Sequence, residues 1–498
     1  MSNPEDESSD TPQEPPDRLG RRFLVGTFQL GVGTTAAALA NVAIGILLAR
    51  ILGPEEFGLF AFAFVICELI GIVGAFSLGN ALIQSRDESP ELYDTALVMS
   101  LGLAIVSLLI AAAIAPFLFR ARGSEAMQFL LILTAGRSLV LLAQVPRAKL
   151  ERSLRYGRVT TLTMLETTLP NVIALGLAWL GWGAWALVAR DLLVSALTLS
   201  LETWSSGYRF RASLSRPAAQ QLMTFARPMF VSRAIEILVM RSDKLAVGAF
   251  LGNVAIGLID RARFVADIGL FVMRPVERAS LNLFSRVQDD LTRLSRAYEI
   301  VNYFLVRAMF AGGCVLLLTP SETLELLFGK EWIGAAPALR WLAVHAAVFP
   351  VFSMIKVLVI ARNRVVRLAR ISAIQAALLI PGTLIAAWLG SFEGVAVVVA
   401  LTTLSGTALG ILWSRDLASV SYRQLFGVPL AAGVLSAGML FAIVLTDANQ
   451  FVPPLARPFA VGGAFVALVL AMEPRRIRRE LGYLRTQLAL DDSAKPAS

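Results

Sequence analysis

"LGPEEFGLF", residues 52–60, joins two long apolar runs, and its skeleton returns as "LGNVAIGLI", residues 251–259. Leu52, Gly53, Gly58 and Leu59 map onto Leu251, Gly252, Gly257 and Leu258 at one constant offset of 199 residues. A short glycine-flanked turn used twice at such a distance marks a duplicated architecture, and the runs around it say which kind.

The chain is 56% hydrophobic and only 16% charged, against about 25% charged residues in a soluble domain. Apolar runs of about 20 residues recur from end to end, long enough to cross a bilayer as helices. Their length, with Gly and Pro inside them, excludes the short alternating strands of a membrane β-barrel. Fourteen spans are expected, near 23–51, 56–84, 91–119, 125–146, 159–180, 183–204, 218–250, 254–286, 297–319, 334–360, 366–388, 392–414, 424–445 and 457–473. With the N-terminus inside, the inner segments hold twenty-seven Lys and Arg and the outer loops four. That asymmetry is the positive-inside signature, and it accounts for the net charge of +9 without nucleic acid. Both termini are therefore expected in the cytoplasm and the protein in the cytoplasmic membrane.

The fold class expected is an all-α polytopic membrane protein. Six spans separate the two copies of the turn, and six is even, so both copies run the same way. This gives two parallel six-helix lobes around a central cavity, related by an axis along the membrane normal. The organisation read from this is a disordered cytoplasmic tail (1–20), an N-lobe (21–204), a C-lobe (205–414), an extra hairpin (415–473) and a basic cytoplasmic tail (474–498). The acidic opening "MSNPEDESSD" is unlike a secretory leader. Cys67 and Cys314 fall in apolar runs with no metal-ligand spacing. His345 is the single histidine, so no histidine-based triad or metal cluster is expected, and no cofactor.

Fourteen Lys and Arg remain inside spans, eight of them in spans 7 and 8. At about 100° per residue, Asp260, Arg263, Asp267, Arg274 and Arg278 share an arc of roughly 60°. Arg233, Glu236, Arg241, Asp243 and Lys244 occupy roughly 160° of span 7. Each charge at the bilayer centre costs about 2.5–3.5 kcal/mol, so these faces cannot meet lipid. Either they pair with one another or they meet an anion. Eight cations against five acids leave a positive surplus, which favours the anion. Arg233, Arg241, Lys244, Arg263, Arg274 and Arg278 are thus the candidate substrate-binding cations. At the offset of 199, Asp267 maps onto Glu68, and Arg263, Arg274 and Arg278 map onto Phe64, Ala75 and Gly79. The first lobe is therefore expected to be mostly apolar with a lone carboxylate. Glu68, Asp243, Asp267, Gly53 and Gly252 are the coupling or gating candidates.

"ILLARILGPEEFGLFAFAFVI…GNALIQ" (46–84), "RSDKLAVGAFLGNVAIGLIDRA" (241–262), "FSRVQDDLTRLSRAY" (284–298) and "LLFGKEW" (326–332) resemble, in order and spacing, the polysaccharide-repeat-unit (Wzx-type) flippases of the multidrug/oligosaccharidyl-lipid/polysaccharide exporter superfamily. The resemblance covers nearly the whole chain. It implies a transporter, not an enzyme, that moves an undecaprenyl-diphosphate-linked oligosaccharide across the membrane by alternating access. It also implies coupling to an ion gradient, H+ or Na+, and as partners the membrane lipids, a polysaccharide polymerase and chain-length machinery. A lipid II flippase is the near alternative. A drug/cation antiporter fits less well, because span 1 carries no Asp or Glu. A membrane polymerase or ligase would need polar outer loops longer than these.

Overall fold

The computed structural model describes residues 16–482 except 75, 77, 119, 121–122, 153–155, 446–451 and 481; the side chains of 16–37, 39, 156–160, 228, 232, 271, 272 and 274 are also outside the description. Of the tails expected at 1–20 and 474–498, residues 1–15 and 483–498 therefore lie outside the described residues. The helices are α1 (Pro16–Ile70), α2 (Leu78–Gln84), α3 (Pro90–Leu118), α4 (Ser124–Arg152), α5 (Tyr156–Trp179) and α6 (Trp185–Ser206), then α7 (Arg216–Asp267) and α8 (Met273–Arg286). They continue with α9 (Leu291–Leu318), α10 (Pro320–Phe328), α11 (Ala336–Ala361), α12 (Val365–Trp388), α13 (Phe392–Trp413), α14 (Tyr422–Leu445) and α15 (Arg457–Met472). No strand occurs among the described residues.

Twelve of the fourteen expected spans coincide with a helix or with half of a broken one, while 56–84 takes in the second half of α1, a 3-10 turn and α2, and 254–286 the second half of α7, a 3-10 turn and α8. Among the described residues ten helical segments are long and apolar enough to cross a membrane. Two of them, Ala40–Gly74 and Met229–Leu270, contain the quoted turn and its copy. The difference from fourteen lies there and in α5 and α6. α6 holds Arg190, Asp191 and Glu202 within its 22 residues, which lowers its apolarity.

α1 and α7 break at one residue each, Gly53 (φ 71°, ψ 172°) and Gly252 (φ 88°, ψ −175°). That backbone region is open almost exclusively to glycine. In α7 the chain doubles back: Lys244 touches Asp260, although sixteen residues of straight helix would hold them about 24 Å apart. The repeat thus has a structural counterpart in two corners of the same backbone conformation.

The same packing partners recur in the two halves. α4 packs on α3 and α6, α5 on α6 and α1; correspondingly, α11 packs on α9 and α13, α12 on α13 and α7. The halves meet chiefly through α1 and α7. At the corner end one apolar core crosses between them, joining Leu52, Phe57 and Phe60 to Val247, Ile256, Ile259 and Trp332. At the opposite end the cores are separate. One gathers Leu82, Leu92, Val145 and Leu222, the other Phe284, Tyr298, Met354 and Leu358. The molecule is therefore sealed at the corners, while at the far end it divides between these two cores, the start of α7 packing with the first half. α14 and α15 pack on α9, where Glu473 accepts from Tyr303 (3.1 Å) and from Arg307 Nε (2.8 Å).

The seal is a backbone contact. A methyl group at Gly58 would lie 1.8 Å from the Asn253 carbonyl oxygen, and one at Gly257 would lie 2.2 Å from that of Pro54. No side chain fits between the two corners. Gly58→Ala and Gly257→Ala should each destabilise this closed form by about 1–3 kcal/mol, the usual cost of overpacking. Gly102, with nothing within 4 Å, is the control. Thermal unfolding in detergent should show lower midpoints for the first two variants and an unchanged one for Gly102→Ala.

Candidate functional site

The charges of α7 form a belt close to the corner. Arg241 Nε lies 2.5 Å from Glu68 Oε2, so Glu68 is the cross-half partner of that arginine. Asp260 takes Lys244 and also Arg261 (2.6 Å). Arg263 reaches Asp243 (3.2 Å) and Asp267 (3.1 Å). Four cations therefore meet four acids. Arg261 also stacks on Phe57 of the other half, 4.1 Å from the ring centroid. His345 is buried, with Nδ1 2.6 Å from the Thr403 hydroxyl oxygen and Nε2 3.8 Å from Asp267. Arg241, Lys244 and Arg263 are brought together with Glu68, Asp243 and Asp267, as neutralised pairs.

The other candidates lie elsewhere. Arg233 sits further from the corner, exposed and paired with Glu236 at 2.8 Å. Arg278 is exposed on α8, and no ion pair involves it among the described residues. The Arg274 side chain lies outside the description. Gly53 and Gly252 hold the two corners.

A cavity of about 450 Å³ opens in the split end, between the 3-10 turn at Gly71–Gly74, α2, α4 and the first half of α7. Arg137, Arg147 and Arg233 line it together with Asn80 and Gln144. Arg137 is exposed into it and forms no ion pair among the described residues. The first half of the chain, expected to be mostly apolar, thus contributes two arginines and two amides. The comparison at offset 199 missed them because it spanned only the turn and its flanking spans, while Arg137 belongs to span 4 and Arg147 to the inner loop expected after it. A readable signal existed: residues 137, 144, 147 and 151 recur at helical spacing and form one polar stripe on an otherwise apolar helix. A second cavity, of about 500 Å³, lies at the same end among Lys149, Arg152, Arg209, Arg211, Tyr93 and Tyr208.

At the sealed end a latch crosses the halves. Arg50 donates to the Leu327 carbonyl at 2.6 Å and also to that of Leu326, in the last turn of α10. The last four carbonyls of a helix lack partners of their own, so an arginine is a natural cap. Trp332, 1% exposed, donates its indole N–H to the Ala49 carbonyl at 3.1 Å.

Asp260→Asn would leave Lys244 and Arg261 without their carboxylate, and breaking a buried pair costs about 3–5 kcal/mol. Asp416→Asn breaks the exposed pair with Arg367, worth about 0–1 kcal/mol. Melting midpoints of the two purified variants should separate clearly, with Asp260→Asn the lower. Equal midpoints would show that the belt contributes nothing to the fold.

The family of polysaccharide biosynthesis proteins matches residues 47–337. The succinoglycan biosynthesis transport protein ExoT of Rhizobium meliloti (strain 1021) is 30% identical over 311 residues, 61% of this chain and 62% of that protein. The chain thus matches somewhat under two thirds of the length of that relative. The lipopolysaccharide biosynthesis protein WzxC of Escherichia coli (strain K12) is 23% identical over 76% of this chain and 78% of its own. Among solved structures, the lipid II flippase MurJ in an inward closed conformation superposes with a TM-score of 0.70. That likeness covers 90% of this chain and 100% of MurJ at 12% identity, and so concerns the fold alone. With its family pattern covering both copies of the turn, this chain belongs to the polysaccharide biosynthesis protein family.

Proposed function

We propose that the chain is a flippase that moves a lipid-linked oligosaccharide diphosphate from the inner to the outer leaflet of the cytoplasmic membrane by alternating access, for surface polysaccharide synthesis. The observation that carries this reading is the cavity of the split end, with Arg137, Arg147 and Arg233 on its walls and a sealed end opposite. Arginine forks match phosphate oxygens in pairs, and the half-apolar surroundings suit a lipid tail. The basic split end faces the cytoplasm by the positive-inside rule, with both termini on that side. The structure then corresponds to a state loaded from within. The two six-helix lobes (21–204 and 205–414) rock about the central axis, with Gly53 and Gly252 at the outer gate.

In this reading Arg278, and Arg274 as the sequence has it, are the second lobe's candidates for binding the head group, while the Arg241, Lys244 and Arg263 pairs hold the lobes in register. The second basic cavity rests on the head groups of membrane lipids. The product passes to a polysaccharide polymerase and chain-length machinery at the outer face. A cation-drug antiporter is disfavoured by the same arginines.

Arg137→Ala should lower flipping at least about tenfold while the protein still inserts, and Arg137→Lys should recover only part, because a point charge replaces the fork. Arg274→Ala and Arg278→Ala belong in the same assay of labelled lipid-linked saccharide reaching the outer leaflet. Full transport by all three alanine variants would sink the reading. For topology, a cysteine at position 55 should react with an impermeant thiol reagent on intact cells. One at 478 should react only after permeabilisation.

A further inference from the structure

On the cavity wall the Arg147 guanidinium is shared by two carboxylates, with a third beside them. Arg147 Nη1 lies 3.0 Å from Glu202 on α6, and its Nε lies 3.1 Å from Glu151 on its own helix. Glu166, on α5, is the third carboxylate, close enough to feel the charge of the same arginine. Glu202 and Glu166 are each 3% exposed. Each keeps one buried oxygen without a hydrogen-bond partner, Glu202 Oε2 and Glu166 Oε1. With all three acids ionised, the cluster carries two net negative charges while Arg147 is in place and would carry three once Arg147 turned away. Neither desolvation nor mutual repulsion favours that. A protonated carboxyl is a donor as well as an acceptor, so a proton on an unpartnered oxygen removes both the charge and the repulsion. Among the described residues no three His, Cys, Asp or Glu side chains converge to hold a metal ion.

Arg147 also lines the cavity. It can serve the acids behind it or an anion in front of it, and with the same donors it cannot fully serve both. We propose that Glu202 and Glu166 form a proton site that fills when an anionic head group loads the cavity and draws Arg147 away from Glu202. A hydronium ion of the aqueous cavity supplies the proton: its O–H bond breaks as the carboxyl O–H bond forms, and it leaves as water. This inference rests on the functional reading above. Its sign is informative. Proton and substrate load together from the cytoplasmic side, so the site does not draw on an inward proton gradient. It lowers the charge of the loaded state, and with it the cost of carrying a diphosphate past an apolar core.

The test uses the full-length purified protein and farnesyl-diphospho-N-acetylglucosamine, a diphosphate diester that does not itself titrate near neutral pH. Calorimetry in buffers of different ionisation enthalpy counts the protons taken up on binding. The wild type should take up about one proton, so affinity should fall about tenfold per pH unit above neutrality. Glu202→Gln should still bind the probe, with the proton count near zero and a flat pH profile. Glu166→Gln is measured alongside and decides the matter by the same readouts if Glu202→Gln does not insert. Binding with no proton uptake by the wild type, or uptake unchanged in both variants, overturns the proton site and leaves the flippase reading standing. Affinity that follows sodium concentration with no proton count overturns it as well. Absence of binding at every pH overturns the flippase reading, and the proton site with it.

Discussion

Everything else in this molecule depends on two helix starts that touch through their backbones. Gly58 and Gly257 stand where any Cβ would strike a carbonyl of the opposite corner. The contact is possible only because Gly53 and Gly252 turn the chain through a conformation closed to other residues. It fixes the spacing of α1 and α7, and those two helices carry most of the contact between the halves. With that end pinned, a shared apolar core can form beside it, and the divergence of the helices leaves the cavity at the other. The seal and the site are two consequences of one close approach.

Charge follows the same division. Within the belt near the corner, Arg241, Lys244, Arg261 and Arg263 meet Glu68, Asp243, Asp260 and Asp267, and no net charge remains to repel the halves. Ions buried this deeply are tolerated only when paired. Toward the split end pairing becomes incomplete: Arg137 and Arg278 have no ionic partner among the described residues, and Arg147 is shared rather than owned. Charge thus grades from neutral near the corner to positive toward the split end, the distribution on which the proposed binding of an anionic head group rests.

How much of this was legible in the sequence depends on the range of the interaction concerned. The spans, the repeat and the two corner glycines are local or periodic features, and periodicity alone locates them. Helical angles also predicted that the charges of α7 share faces. They could not say what those faces meet, because the partner of Arg241 is Glu68, 173 residues away. A surplus counted over two spans is not a surplus in space: Arg241 is neutralised by the other half, while Arg233 and Arg278 lie off the belt. Arg137, counted among the cations inside spans, and Arg147, counted in an inner loop, were not read as site residues, since each looks incidental until the stripe with Gln144 is drawn. The pairing of Arg50 with α10 spans 277 residues and has no sequence signature at all.

That last pairing breaks the symmetry that the corners establish. At the offset of 199, Arg50 corresponds to Ala249 and Trp332 to Leu133, so the latch exists once while the backbone seal is two-fold. The seal alone would part as easily as it forms, for it buries little side chain. The latch adds what the seal lacks: an aromatic side chain inserted under α1 next to Phe57, whose ring centroid is 6.1 Å away, and a cation on helix-end carbonyls. Opening the corner end must uncap α10 and expose Trp332 together, two costs that fall in one step. Both partners of the latch on the second half, the end of α10 and Trp332, belong to one short segment, so under the alternating-access proposal a single movement would release them.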